Sequence, residues 1–139
     1  MKLRENAKKY GDINIIDGSP GIGCSVIASI TGVDIALIVT EPTLSGIDDL
    51  KRILELAKTF NVLPFVCINK YDINLDMTQN IEQYCNDNKI EIISKIPYDN
   101  FVLKSINELK PITLYKESKA GEKIKEISEK LLTKYIERK

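Results

Sequence analysis

Four short strings in this 139-residue chain bring together groups that could do chemistry. The first is Asp17-Gly18-Ser19-Pro20-Gly21-Ile22-Gly23-Cys24-Ser25, directly behind the β-rich run D-I-N-I-I-D at 12–17. An aspartate ending an apolar strand can hold Mg²⁺, usually through water. Glycines behind it let backbone N–H groups approach a γ-phosphate. The same residues fit the phosphate loop G-x-x-x-x-G-K-[ST] at every place but one. Cys24 stands where the lysine that reaches the β/γ-phosphates should be, and a thiol cannot supply that charge. A plain tight turn closed by small residues is the third reading, and the residues alone leave all three open.

The second string, Asn69-Lys70-Tyr71-Asp72, fits N-K-x-D, the base-reading motif of GTPases. There the Asn amide bonds the base, the Lys stem lies along its face, and the carboxylate accepts from guanine N1 and N2. The alternative is a polar loop in which Asp72 or Asn74 caps the next helix. The third string is Thr40-Glu41-Pro42-Thr43, where Pro42 holds Glu41 extended and ends a strand. The fourth, Pro97-Tyr98-Asp99, either lies against a base edge or simply enters a helix.

Strands and helices must alternate to place these strings. Strands are expected over 12–17, 34–40, 62–69 and 90–96, with a short fifth over 111–115. The second is apolar throughout its middle, which suits a strand covered on both faces. Pro64 falls near the start of the third, where a missing N–H matters least. Helices are expected over 45–60, 77–88, 98–109 and 118–136. The first opens with S-G-I-D, a capping box with Asp48 in place of Glu. Behind it Ile47, Leu50, Leu54 and Ala57 repeat at helical spacing. Ile124, Ile127, Leu131 and Tyr135 form one stripe on the last. This alternation implies an α/β fold with a mostly parallel sheet flanked by helices and right-handed crossovers. Ligands sit beyond the carboxyl ends of such strands, which is where all four strings fall.

Composition narrows the function classes. Twenty Lys+Arg balance twenty Asp+Glu, so the electrostatic case for general nucleic-acid binding is missing. With no histidine, Ser-His-Asp, Cys-His and His-metal chemistries are excluded within this chain. Cys24, Cys67 and Cys85 have no C-x-x-C spacing, so no iron–sulfur or zinc ligand set is readable, and Cys67 reads as core. The longest apolar run, 35–39, is too short to span a bilayer. The last helix has an apolar stripe, but Glu126, Glu129 and Glu137 interrupt its basic face, so membrane binding is not expected. Without an apolar leader behind Met1, the cytoplasm is the expected compartment.

Three segments together resemble the MinD/ParA/Mrp superfamily of P-loop ATPases. They are I-I-D-G-S-P-G-I-G-C, V-T-E-P-T-L-S-G-I-D-D-L-K-R-I-L-E-L-A and V-C-I-N-K-Y-D. The likeness is greatest to the branch carrying an inserted two-cluster ferredoxin module. It implies a partial P-loop NTPase fold of the SIMIBI type. Asp17 then takes the place of the Walker B aspartate, as magnesium-holding and catalytic acid. Gly21 takes that of the switch II glycine at the γ-phosphate. Asn69 resembles the asparagine that hydrogen-bonds adenine, so N-K-Y-D need not mean guanine. Pro97 lies where backbone meets the base, and Glu41 and Pro42 lie near the dimer interface and nucleotide.

The departures matter as much. No K-G-G-x-G-K-T loop, switch I aspartate or cysteine-rich insert occurs among the 139 residues. The resemblance therefore implies a single partial domain over 1–139, matching the second half of such an ATPase and truncated before the Walker B strand. ATP and Mg²⁺ are expected only with a complementing first half, and the chain alone is expected to be inactive. An unpaired sheet edge should favour self-association or a partner supplying that half. The alternatives are a non-catalytic interaction subunit of a split ATPase and a GTP-binding fragment. Against GTP, a D-x-x-G motif needs glycine where Pro20 stands. A receiver-like phosphoacceptor is weaker still, because its acidic pair and lysine cannot be placed.

Overall fold

The computed structural model describes residues 13–21 and 23–138. A three-stranded parallel sheet, β1 (Ile35–Thr40), β2 (Leu63–Asn69) and β3 (Glu91–Ile96), runs in the order β1-β2-β3. Among the described residues five helices connect and cover it: α1 (Cys24–Ile30), α2 (Leu44–Thr59), α3 (Leu75–Asp87), α4 (Phe101–Asn107) and α5 (Lys119–Arg138). Two 3₁₀ turns, Tyr71–Ile73 and Ile112–Leu114, complete the order.

The expected α/β architecture is therefore present, and its core forms two layers. Ile38, Val66 and Ile68 point to one face, where Leu50, Leu54, Ile81 and Cys85 of α2 and α3 cover them. Phe65, Cys67, Ile93 and Ile96 point to the other, against Ala120 and Ile127 of α5. Alternation along each strand produces this split. A bulge opposite Val66/Cys67 in the β2–β3 register lets Ile93 and Ile96 share a face despite their odd spacing.

Helix ends follow local chemistry. Thr43 Oγ1 accepts from the Gly46 N–H at 2.9 Å and caps α2. Asn74 Oδ1 does the same for α3 from the Met77 N–H at 3.0 Å. At their far ends Asn61 and Lys89 take positive φ of 53° and 57°. The Val62 and Ile90 N–H groups then close onto the Ala57 and Cys85 carbonyls.

Four expectations are corrected. The first strand is not formed: residues 13–19 have no regular structure, and Ile15 is 94% exposed. Its apolar side chains find neither a ladder nor a covering layer among the described residues, so β propensity alone does not hold it. Residue 12 lies outside the described residues. Instead of a fifth strand, 111–115 contains the 3₁₀ turn, whose Leu114 and Tyr115 N–H groups bond the Pro111 and Ile112 carbonyls. The cap of α2 is Thr43 rather than Ser45, because the extended Thr43 turns its Oγ1 to the Gly46 N–H and the helix begins at Leu44. Finally, α4 starts at Phe101 rather than Tyr98, because Asp72 takes the Tyr98 N–H and Asp99 takes the Phe101 N–H.

Candidate functional site

The carboxyl ends of the three strands are tied to one another by side chains. Lys70 has left-handed backbone (φ 51°, ψ 43°) and reaches across to β1, where its Nζ meets Glu41 Oε1 at 2.8 Å. That hydrogen bond and the Glu41 charge hold the Lys70 ammonium above its ordinary pKa. Asp72 Oδ1 accepts the Tyr98 backbone N–H at 2.7 Å, which joins the loop after β2 to the loop after β3. The Tyr71 carbonyl accepts from Thr78 Oγ1 at 2.7 Å, which seats the same loop on α3.

Asp99 ties the third loop to α5. Its carboxylate accepts from Phe101 N–H at 2.9 Å, Ser118 Oγ–H at 2.7 Å and Ala120 N–H at 3.0 Å. Burial pushes this carboxyl upward, but the donors outweigh it and hold the pKa below the usual 3.8. Ser118 Oγ in turn accepts from Gly121 N–H at 2.9 Å.

Two depressions flank these loops. A shallow one of about 270 Å³ is lined by Pro20, Gly21, Thr40, Glu41, Thr43 and Gly46, among others. Gly21 has φ 87°, with open space where a Cβ would lie, so a ligand could approach its backbone closely. On the other sheet face, a larger open groove of about 850 Å³ has Asn69 at its rim. Leu37, Val39, Ile106, Leu109 and Ile124 make its walls largely apolar.

The site residues singled out by sequence divide accordingly. Gly21 and Glu41 share the shallow depression, and Glu41 is bridged to Lys70, next to Asn69. Pro97 immediately precedes the clamped Tyr98. Asp17 is exposed on the irregular segment and lines neither depression. Pro42 is fully buried and shapes the loop from within. Sequence reading missed the Lys70–Glu41 and Asp72–Tyr98 links, because their partners lie on separate loops. It also missed Asp99 as an anchor. Ser118 just ahead of a helical run signals a cap, but nothing local points from it back to Asp99. Burial pushes the Cys67 and Cys85 thiols up to about 11, as for inert core groups, whereas Cys24 is exposed. Among the described residues no cluster of three or more His, Cys, Asp or Glu could hold a metal. Nor is any helix there long and apolar enough to cross a membrane.

No family model matches the chain. It is 38% identical over 130 residues to Uncharacterized protein MJ0578 of Methanocaldococcus jannaschii, covering 93% of this chain and 43% of that one. It is 32% identical over 126 residues to Uncharacterized ATP-binding protein MJ0823 of the same organism, covering 90% and 48%. The solved MinD cell division protein of Aquifex aeolicus superposes with a TM-score of 0.78 at 26% identity, over 95% of this chain and 58% of that one. The chain is related to the MinD/ParA-like P-loop ATPase superfamily. The three-stranded sheet and its helices match part of the MinD P-loop NTPase fold. The chain spans about half the length of these relatives. In this MinD-like frame, the loops after β1, β2 and β3 are the ends at which an open α/β sheet takes its ligand.

Proposed function

We propose that the chain supplies the magnesium-holding and base-contacting end of a MinD-like ATPase, and that a phosphate-loop segment outside these 139 residues completes the site. The observation that carries this reading is convergence. Gly21 and Glu41 share one depression, the Lys70–Glu41 bridge brings the loop after Asn69 beside it, and the Asp72–Tyr98 bond brings in the loop that follows Pro97. In this reading Asp17 is the Walker B aspartate that holds Mg²⁺, mostly through water. The Gly21 N–H meets the γ-phosphate, Asn69 the adenine, and Pro97 offers backbone to the base. Glu41 and Pro42 shape the neighbourhood of the nucleotide and the dimer contact.

On this reading the residues serve that part of a nucleotide alone. One exposed carboxylate suits Mg²⁺, which keeps several waters and takes its other ligands from phosphates. The ion would neutralise charge on the phosphates. The lysine and the acid that orients water are expected from the complementing unit. Any iron–sulfur ligands of a ferredoxin-type insert are expected there too. Phosphoryl transfer would then run by positioning and charge neutralisation, in the cytoplasm. On this reading the isolated chain does not hydrolyse ATP. Mixing it with a unit carrying K-G-G-x-G-K-T should generate ATPase activity that Asp17→Asn removes. Unchanged activity in that variant would contradict the role given to Asp17.

A second reading is a non-catalytic interaction subunit. It is favoured by the uncovered apolar wall of β1, where Leu37 is 37% and Val39 58% exposed. The partner would be a phosphate-loop unit or a second copy. If the chain meets its partner tightly but the pair binds no nucleotide, this reading replaces the first.

A further inference from the structure

We propose that a second copy of this chain docks on the apolar groove beside β1, with Leu109 of each copy seated in the groove of the other. The inference starts from a leucine in an unfavourable place. Three helices end alike, with one residue at positive φ and the next N–H closing back onto the helix. After α2 and α3 that residue is Asn61 or Lys89, both polar and exposed. After α4 it is Leu109, at φ 51°, and the Lys110 N–H bonds the Ser105 carbonyl at 3.0 Å. A bulky side chain is disfavoured in left-handed backbone, where glycine or asparagine makes the same turn with less strain. Leu109 is also 92% exposed. Its side chain therefore serves neither the turn nor the core, and it is available to another molecule.

The surroundings say which molecule. Leu109 lines the groove of about 850 Å³, together with Val39 on β1, Ile106 on α4 and Ile124 on α5. Knob and groove thus lie on one face. A two-fold contact uses the same patch on both copies, so a knob beside its own groove is what such a contact requires. Leu37, Val39, Val102, Ile106, Leu109 and Ile124 are all exposed and all line the groove. Together they offer on the order of 600 Å², at the top of the range for a monomer's largest apolar patch and near the ~800 Å² per partner of a standard interface. Charge does not oppose the contact. Lys110 is the one charged residue among the described lining, it lies 3.8 Å from Glu108, and the chain carries no net charge. The contact stands apart from the nucleotide reading, and its two-fold symmetry closes it as a dimer.

Leu109→Gly separates this role from a structural one. Glycine relieves the left-handed strain, so the purified variant should unfold at the same temperature as the wild type or a higher one. Its dimer should nevertheless be weaker by ten-fold or more in sedimentation equilibrium. Leu109→Asn also suits the turn and should weaken the dimer likewise, whereas Leu109→Met should keep most of the affinity. The wild type itself should fit a monomer–dimer equilibrium without higher species. Equal dimer affinity in the wild type and Leu109→Gly would overturn the seating of Leu109. A wild type that grows past the dimer would overturn the two-fold contact. A monomeric wild type that associates only with a phosphate-loop unit would give the groove to that unit and overturn the second copy as its occupant.

Discussion

Removing the Asp99 carboxylate leaves Phe101 N–H, Ser118 Oγ–H and Ala120 N–H without their shared acceptor. A half-buried acceptor serving several donors is costly to delete, so Asp99→Ala should lower stability by about 2 kcal/mol in denaturant titration. The pH dependence has a definite sign. The folded pKa of Asp99 is depressed from 3.8, so its contribution is complete above the ordinary carboxylate range and fades as pH falls below it. The stability gap between wild type and Asp99→Asn should therefore shrink as pH falls through and below the ordinary carboxylate range. A gap that stays constant would place the effect in packing instead. At this scale the sequence was legible where the signal is local. Asn74 caps α3, one of the two roles open for the polar loop, and Cys67 is core. Asp72 and Asp99 were opaque because each bonds a group many residues away, and spacing carries no trace of that.

Among the elements, α2 shows what position demands. Gly46 sits in its first turn, pressed on the loop after β1, and a Cβ there would run into the Glu41 carbonyl oxygen and crowd Thr40 and Thr43. Gly46→Ala should cost roughly 1–3 kcal/mol through overpacking and displace Glu41 from Lys70. Unchanged stability with an intact Glu41–Lys70 contact would argue that the loop is softer than the geometry implies. The three observed strands were readable because each is an apolar run bounded by turn residues, and α2 because Leu50, Leu54 and Ala57 recur at its period. Residues 13–17 carry a similar apolar pattern without becoming a strand. Ile13, Ile15 and Ile16 stay exposed, since a strand exists only with a neighbour to pair with. The short α1 went unread because C-S-V-I-A-S-I also completes the glycine-rich string, and seven residues give little periodicity.

For the whole molecule, the parallel order β1-β2-β3 leaves β1 at one side of the sheet, beside an apolar groove that no described element fills. Strand edges and apolar walls of this kind drive association. Sedimentation of the purified chain should show concentration-dependent species above the monomer, and Val39→Lys should shift them toward monomer. A monomer at all concentrations would count against the incomplete-sheet account.

The most direct test of the central claim is titration of Mg·ATP by calorimetry. The chain is measured alone, then joined to a unit bearing K-G-G-x-G-K-T. Little or no binding is expected for the chain alone. Saturable binding should follow complementation, weakened about ten-fold by Asn69→Ala, a loss of about 1.4 kcal/mol. Saturable Mg·ATP binding by the chain alone would contradict the need for a separate phosphate loop. Complemented binding indifferent to Asn69 would contradict the assignment of the base end.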